Sequence, residues 1–333
     1  MGSLRVVDIS KPSGETTSSL FEAATLQGFL FIDGHDFSQL EVDELYAISQ
    51  EFFCTVPAEV KQKYSIRSNN IGYTDFCNEN LDPRKARDYK EGYNFGNINF
   101  EDGTLNRSIA EGEPEDSIPP YFKDREVIIQ NAVKKLHANA RKILGLLAIS
   151  LKVEDVNFFV ERFRPAEVSG TVLRFLRYPL IRESDLDDMF DPTIRAGAHT
   201  DYGALTMLFQ RQGEQGLQLQ VDGENWTDVD FVASTHPGSA PPFIVNIGDL
   251  MSYWTNGLLK STIHRVKFSP GETRQSDRYS IVFFVHPEND STLIPVPSKY
   301  IKQAAVLKHD SSSMTASQYL QKRLAETYQH RIT

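Results

Sequence analysis

The chain has 333 residues, 40% of them hydrophobic, with a formal net charge of −10. That length and apolar share support one large β domain with helical additions, or two ordinary domains. The acidic balance argues against a nucleic-acid or anionic-membrane partner, because neither is drawn to a negative surface.

Residues 1–120 alternate short strands with helices and read as an N-terminal α/β region; 121–333 read as a helix-braced catalytic core. Two cysteines, Cys54 and Cys77, make no disulfide framework, which fits a reducing cytosol. No basic-plus-apolar leader opens the sequence, and the apolar stretch 143–151 is too short to span a bilayer. A cytoplasmic protein is expected. A polar run from Glu101 to Pro120 predicts an exposed, mobile loop. After it, Val133, Leu136, Ala140, Ile143 or Leu144, Leu147 and Leu151 recur at three- and four-residue steps, the pattern of a long amphipathic helix packed on a sheet. From Thr171 to Val285 the signals are almost all β, with Asp222-Gly223 as a hairpin turn. A last helix starts at Thr315 and carries Tyr319, Leu320 and Leu324 on one side.

The chemistry concentrates in the β region. His199 and Asp201 stand two apart, a spacing that puts both on one face of an extended segment. His264 follows Asp201 after 63 positions and opens another extended stretch. Two imidazoles and one carboxylate on one face of an octahedron leave three positions open, the arrangement of non-haem Fe(II) that must also bind a cosubstrate and O2. Zinc sites more often close with three or four protein ligands. Arg278 and Ser280 repeat the two-residue spacing on the most strand-like run of the chain. A guanidinium fork and a hydroxyl on one face make a clamp for the far end of a dicarboxylate. Taken singly, a His-x-Asp is more often a turn and an Arg-x-Ser a coincidence; their order raises both above that reading. His35, His236 and His286 stand beside Gly or Pro and read as turn residues, His137 as a helix residue, and His309 and His330 as parts of a polar tail.

Further blocks extend the pattern over nearly the whole chain: Gly28-Phe29-Leu30-Phe31-Ile32 with Gly34-His35; Phe52-Phe53 with Pro57, Glu59 and Lys61; Gly72-Tyr73-Thr74; Lys90-Glu91-Gly92-Tyr93-Asn94-Phe95-Gly96; Arg177-Tyr178-Pro179; Gly216 to Gln220; Asn246-Ile247-Gly248-Asp249; Trp254 to Gly257; and Ser261 to Val266. Together with the ligand spacing they resemble the isopenicillin N synthase-like branch of the Fe(II)- and 2-oxoglutarate-dependent dioxygenases. Asn94 stands where that family usually has Asp, Leu176 where many plant members have Asn, and Ile263 where Pro often precedes the distal histidine. The resemblance implies a double-stranded β-helix, or jelly roll, with flanking helices. It also implies an iron triad of His199, Asp201 and His264, with 2-oxoglutarate held by Arg278, Ser280 and Tyr178. The implied activity oxidises a C–H bond of a small organic metabolite, giving succinate and CO2, with ascorbate as a supporting reductant. Hydroxylation, desaturation, ring closure and ring rearrangement all occur in such a family, and secondary metabolism is the expected setting.

For the substrate, Arg174, Leu176 and Tyr178 share one strand face, so Arg174 either meets the substrate or bridges to a core carboxylate. Arg195 is a second candidate near the metal, against the commoner role of a solvated loop arginine. Tyr93 and Phe95 either line the entrance or pack in the core, packing being the default. These residues point to a small molecule with an anionic or phenolic group. Three other readings stand beside this one: a same-fold Fe(II) oxidase that does not use 2-oxoglutarate, a non-catalytic small-molecule binding protein, and a zinc metalloenzyme.

Overall fold

A computed structural model describes residues 3–76, 88–107, 118–180, 193–268, 276–301 and 314–329. The N-terminal region runs β1 (Val6–Asp8), α1 (Gly14–Leu26), β2 (Phe29–Asp33), α2 (Gln39–Thr55), α3 (Ala58–Gln62), β3 (Gly72–Thr74) and β4 (Glu91–Phe95). Helices α4 (Pro120–Lys123) and α5 (Glu126–Ser150) follow. The β region comprises β5 (Val172–Tyr178), β6 (Ile194–His199), β7 (Leu205–Leu208), β8 (Leu217–Leu219), β9 (Thr227–Asp228) and β10 (Phe243–Ile247). The β region continues past α6 (Asp249–Trp254) with β11 (His264–Lys267) and β12 (Arg278–Val285), and α7 (Ala316–Gln329) follows.

Two sheets form. The larger has the order β1-β2-β10-β7-β12-β5-β4-β3 and the smaller β6-β11-β8-β9. This is the jelly-roll core expected from the sequence, with the larger sheet drawing strands from both sides of residue 120. Helix α2 starts with a reciprocal cap: Glu41 N–H donates to Ser38 Oγ and Ser38 N–H to Glu41 Oε2, which satisfies two amide donors that a helix start leaves open. Helix α5 buries Val133, Leu136, Ala140, Ile143, Leu144 and Leu147, at about 1.5–3 kcal/mol for each large side chain withdrawn from water. Strand β12 splits by parity: Tyr279, Ile281, Phe283 and Val285 enter the helix-side core, while Arg278, Ser280, Val282 and Phe284 face the space between the sheets.

Glu91, fully buried, accepts from Lys61 Nζ, Tyr73 OH and Arg177 Nη1, tying α3, β3 and β5 to β4. The Asp222-Gly223 turn lies between β8 and β9, with Gly223 at φ +82°. Two sequence expectations need correction. Within the predicted polar loop, Gly103, Leu105 and Asn106 are buried, and Asn106 is bound to Gly96 through both its amide N–H and its side chain; residues 108–117 lie outside the described ones. The β region is also interrupted by α6, whose Leu250, Met251 and Trp254 are spaced as one helical face and buried. Cys54 is a free thiol; Cys77, His309 and His330 lie outside the described residues. No helix among the described residues is long and apolar enough to cross a membrane.

Candidate active site

A cavity of about 200 Å3 lies between the two sheets. His199 closes β6 and His264 opens β11, opposite each other in the ladder. Asp201 stands just past the end of β6, so a loop rather than a continuous strand delivers the carboxylate. One ligand atom from each of the three lies within 4.8 Å of the others, and the two Nε2 atoms are each 3.7 Å from Asp201 Oδ1.

Each of these side chains is fixed from behind. His199 Nδ1 lies 2.7 Å from the Gly197 carbonyl and His264 Nδ1 3.1 Å from the Thr262 carbonyl. A carbonyl only accepts, so each Nδ1 carries the proton and each Nε2 presents its lone pair to the shared space. Asp201 Oδ2 accepts from Thr206 Oγ1 at 2.6 Å and Asn246 Nδ2 at 2.8 Å, leaving Oδ1 turned toward the histidines. Burial, helped by the neighbouring His264, pushes His199 down to about 3. For Asp201 burial alone would raise the pKa, but the two imidazoles and the Thr206 and Asn246 hydrogen bonds outweigh it and hold it below the ordinary carboxylate range. The set presents two imidazole nitrogens and one carboxylate oxygen to one shared space, which fits a divalent cation of borderline softness.

Arg278, at the start of β12, is buried and lines the same cavity. Its Nε donates to the Glu214 carbonyl at 2.7 Å and its Nη1 to Ser280 Oγ at 2.6 Å, so two of three nitrogens are positioned by the protein. Its guanidinium carbon is 5.1 Å from the centre of the Tyr178 ring, its cross-strand partner on β5.

The model of the 2OG-Fe(II) oxygenase superfamily matches residues 169–287, and that of the N-terminal region of the non-haem dioxygenases of morphine synthesis matches 4–111. A 2-oxoglutarate-dependent dioxygenase of Didymella fabae is 30% identical over 329 residues, 96% of this chain and 92% of its own. The chain belongs to the Fe(II)- and 2-oxoglutarate-dependent dioxygenases. Another relative, the homoarginine-6-hydroxylase of Glycine max, is 28% identical over 85% of this chain and 80% of its own. In fold, the dioxygenase is similar to the full-length Neurospora crassa protein crystallised with α-ketoglutarate and thymine, with a TM-score of 0.77 at 24% identity, covering 98% and 97% of the two chains.

Beyond the metal cluster the dioxygenase cavity is walled by Val172, Arg174, Asn94, Asn70, Phe284 and His286 and covered by Leu320 and Leu324 of α7. Arg174 has Asn94 and Val282 as its cross-strand neighbours. Gly92 makes its room: a Cβ there would stand 3.1 Å from both Nε and Nη2 of Arg174. Asn94 donates to the Asn70 carbonyl at 2.9 Å, which the Asp usual in the family cannot do when ionised; its Oδ1 is buried with no hydrogen-bond partner.

Three sequence candidates lie elsewhere. Tyr93 and Phe95 are fully buried on the opposite face of β4, against Phe122, with Phe52 beside Tyr93 and Phe175 beside Phe95; strand alternation turns Asn94, not its neighbours, into the cavity. Arg195 is neither cavity-lining nor solvated: it is buried, with its guanidinium 4.9 Å from the Phe268 ring. Conversely, sequence reading treated His286 as a turn residue, yet it continues the inward parity of β12, lines the cavity and has an unpartnered, buried Nδ1. Its parity with Arg278 was the available signal. Burial pushes it down to about 4, so it is a neutral imidazole. Lys90, quoted only as part of a motif, also lines the cavity.

Proposed function

We propose that His199 and His264 hold Fe(II) through Nε2 and Asp201 through Oδ1, and that Arg278 and Ser280 grip the distal carboxylate of 2-oxoglutarate beside Tyr178. The observation that carries this reading is the pairing of a three-atom ligand cluster with a buried, pre-aimed Arg278–Ser280 pair on the wall of one cavity. Bound Fe(II) would supply the redox centre for O2. The protein's own work is to orient both imidazoles, to hold the cosubstrate, and to seat a carbon beside the metal. In the hydroxylation outcome, substrate C–H, O2 and 2-oxoglutarate become C–OH, succinate and CO2.

The substrate in this reading is a small, non-cationic metabolite presenting an anionic or phenolic oxygen to Arg174, with polar groups within reach of Asn94 and His286. Among the described lining residues the carboxylate is Asp201 alone, already engaged, whereas Lys90, Arg174 and Arg278 are cationic. A positively charged substrate such as homoarginine finds no free counter-charge on these walls, which separates this chain's expected substrate from that of the Glycine max relative. A setting in secondary metabolism is part of the same proposal. The test is a screen of small acids, phenols and cyclic amides with Fe(II), ascorbate and 2-oxoglutarate, reading succinate by mass spectrometry. Substrate-dependent succinate is expected; O2 uptake and product formation with no need for 2-oxoglutarate would replace this reading with the oxidase one.

A further inference from the structure

The β6–β11 ladder slips between its His199–His264 and Ala196–Val266 pairs, three steps along β6 opposing two along β11. Such a bulge takes backbone groups out of the ladder and re-aims a side chain. Gly197 lies in it. Its N–H donates at 2.9 Å to Oδ1 of Asp88, from the segment that leads into β4. Asp88 Oδ2 in turn receives Lys90 Nζ at 3.1 Å, with 2% and 5% of the two side chains exposed. The same Gly197 supplies the carbonyl that holds His199 Nδ1.

We infer that Asp88, steadied by Lys90, is a positioning residue for the iron ligand His199. The chain of contacts runs from the ammonium to the carboxylate, to the bulged glycine, to the imidazole, and sets which way Nε2 points. A buried ion pair is a weak device for stability, because desolvation offsets most of its attraction; fixing a bulge beside a ligand gives it a use that burial alone does not. The inference rests on the reading of His199 as a ligand and places a determinant of the metal site in the N-terminal region, over a hundred positions before that histidine.

The experiment compares Asp88→Ala, the double variant Asp88→Asn with Lys90→Met, and His199→Ala, titrating each apoprotein with Co(II) as a spectroscopic stand-in for Fe(II) and recording thermal midpoints before and after metal. Removing the direct hydrogen-bond partner of a metal-bound histidine typically weakens affinity by about 10–100-fold; Asp88 acts one contact further out, through Gly197, so Asp88→Ala should weaken Co(II) binding by about tenfold with an altered absorption band. The double variant keeps an oxygen acceptor for Gly197 and removes both charges of the Asp88–Lys90 pair together, so it should stay within about threefold of the parent. A lower apoprotein midpoint with unchanged Co(II) affinity and spectrum in Asp88→Ala would make Asp88 merely structural and overturn the inference. Unchanged Co(II) affinity in His199→Ala would instead overturn the ligand assignment itself.

Discussion

Two groups of cavity-lining residues differ in how far the protein satisfies their polar atoms. Around the metal cluster and Arg278, both histidine Nδ1 atoms, Asp201 Oδ2, and Arg278 Nε and Nη1 have protein partners at 3.1 Å or less. Elsewhere on the cavity wall, Asn94 Oδ1 and His286 Nδ1 are buried with none. An unsatisfied buried polar atom costs about 1–3 kcal/mol, so this second group carries a strain that a ligand with complementary groups relieves. Under the proposed function, the comparison separates residues that hold unchanging reagents from residues that choose among substrates.

The largest effect expected is at the metal. His264→Ala or Asp201→Ala removes one of three protein bonds and should abolish nearly all metal-dependent turnover; near-normal succinate formation by His264→Ala would break the assignment. Asp201→Glu moves the carboxylate by about one bond length, a displacement that can cost ~10²-fold in rate. Next comes Arg278→Lys, which keeps the charge and loses the fork. Its apparent 2-oxoglutarate affinity should weaken by about 1.5–3 kcal/mol, read as KM for 2-oxoglutarate at saturating substrate.

For the substrate residues the same logic predicts a split. Arg174→Gln should raise the substrate KM by about tenfold, leaving Co(II) and 2-oxoglutarate binding unchanged. If Arg174 instead anchors a core carboxylate, stranding that partner costs ~3–5 kcal/mol of stability, and a melting curve beside the kinetics tells the two apart. His286→Leu removes an unpartnered polar ring, so it should leave the thermal midpoint unchanged or raise it while lowering the ratio of product to succinate. A fall in midpoint comparable to that of Thr206→Val would erase the contrast between the two groups.

The smallest effect is a pH dependence. Burial holds His137 and His199 down to about 3 and His286 to about 4, against about 6.5 in an unfolded chain. Below that value the unfolded state binds protons that the folded state refuses, so these groups contribute stability above pH 6.5 and lose it progressively toward pH 4. His137 stacks on Phe100 with ring centres 4.1 Å apart, in helix α5. His137→Phe should therefore flatten the denaturation midpoint against pH without altering the pH profile of turnover.

The metal ligands and the Arg278–Ser280 pair were legible because their two-residue spacing sits beside strand-like runs. The sides taken by β4 and β6 were not. Alternation fixes which residues share a face, but in β4 every residue is buried, so no polar face marks the outside and Tyr93 and Phe95 were as plausible inside the cavity as Asn94. Strand β6 reads Ile-Arg-Ala-Gly-Ala-His, with a bulge at its glycine; neither the bulge nor its Asp88 partner leaves a local pattern, because the contact joins distant segments. Helix α7 was expected, but not that Leu320 and Leu324 line the cavity, or that Arg323 reaches Asp249 at 2.7 Å.

The pairing of β2 with β10 bears on how the molecule is made. Ile32 sits opposite Phe243 and Phe29 opposite Asn246, roughly two hundred positions apart. At about 5–20 residues per second of synthesis, β2 waits on the order of 10–40 s for its partner to be translated. Over that interval the edge of β2 that β10 covers has no native strand beside it. The Phe29 ring finally comes to lie 5.3 Å from His264. Contacts this distant in sequence form slowly, so the ring packing that braces His264 is completed late in folding, and a metal site that needs it reports a folded core.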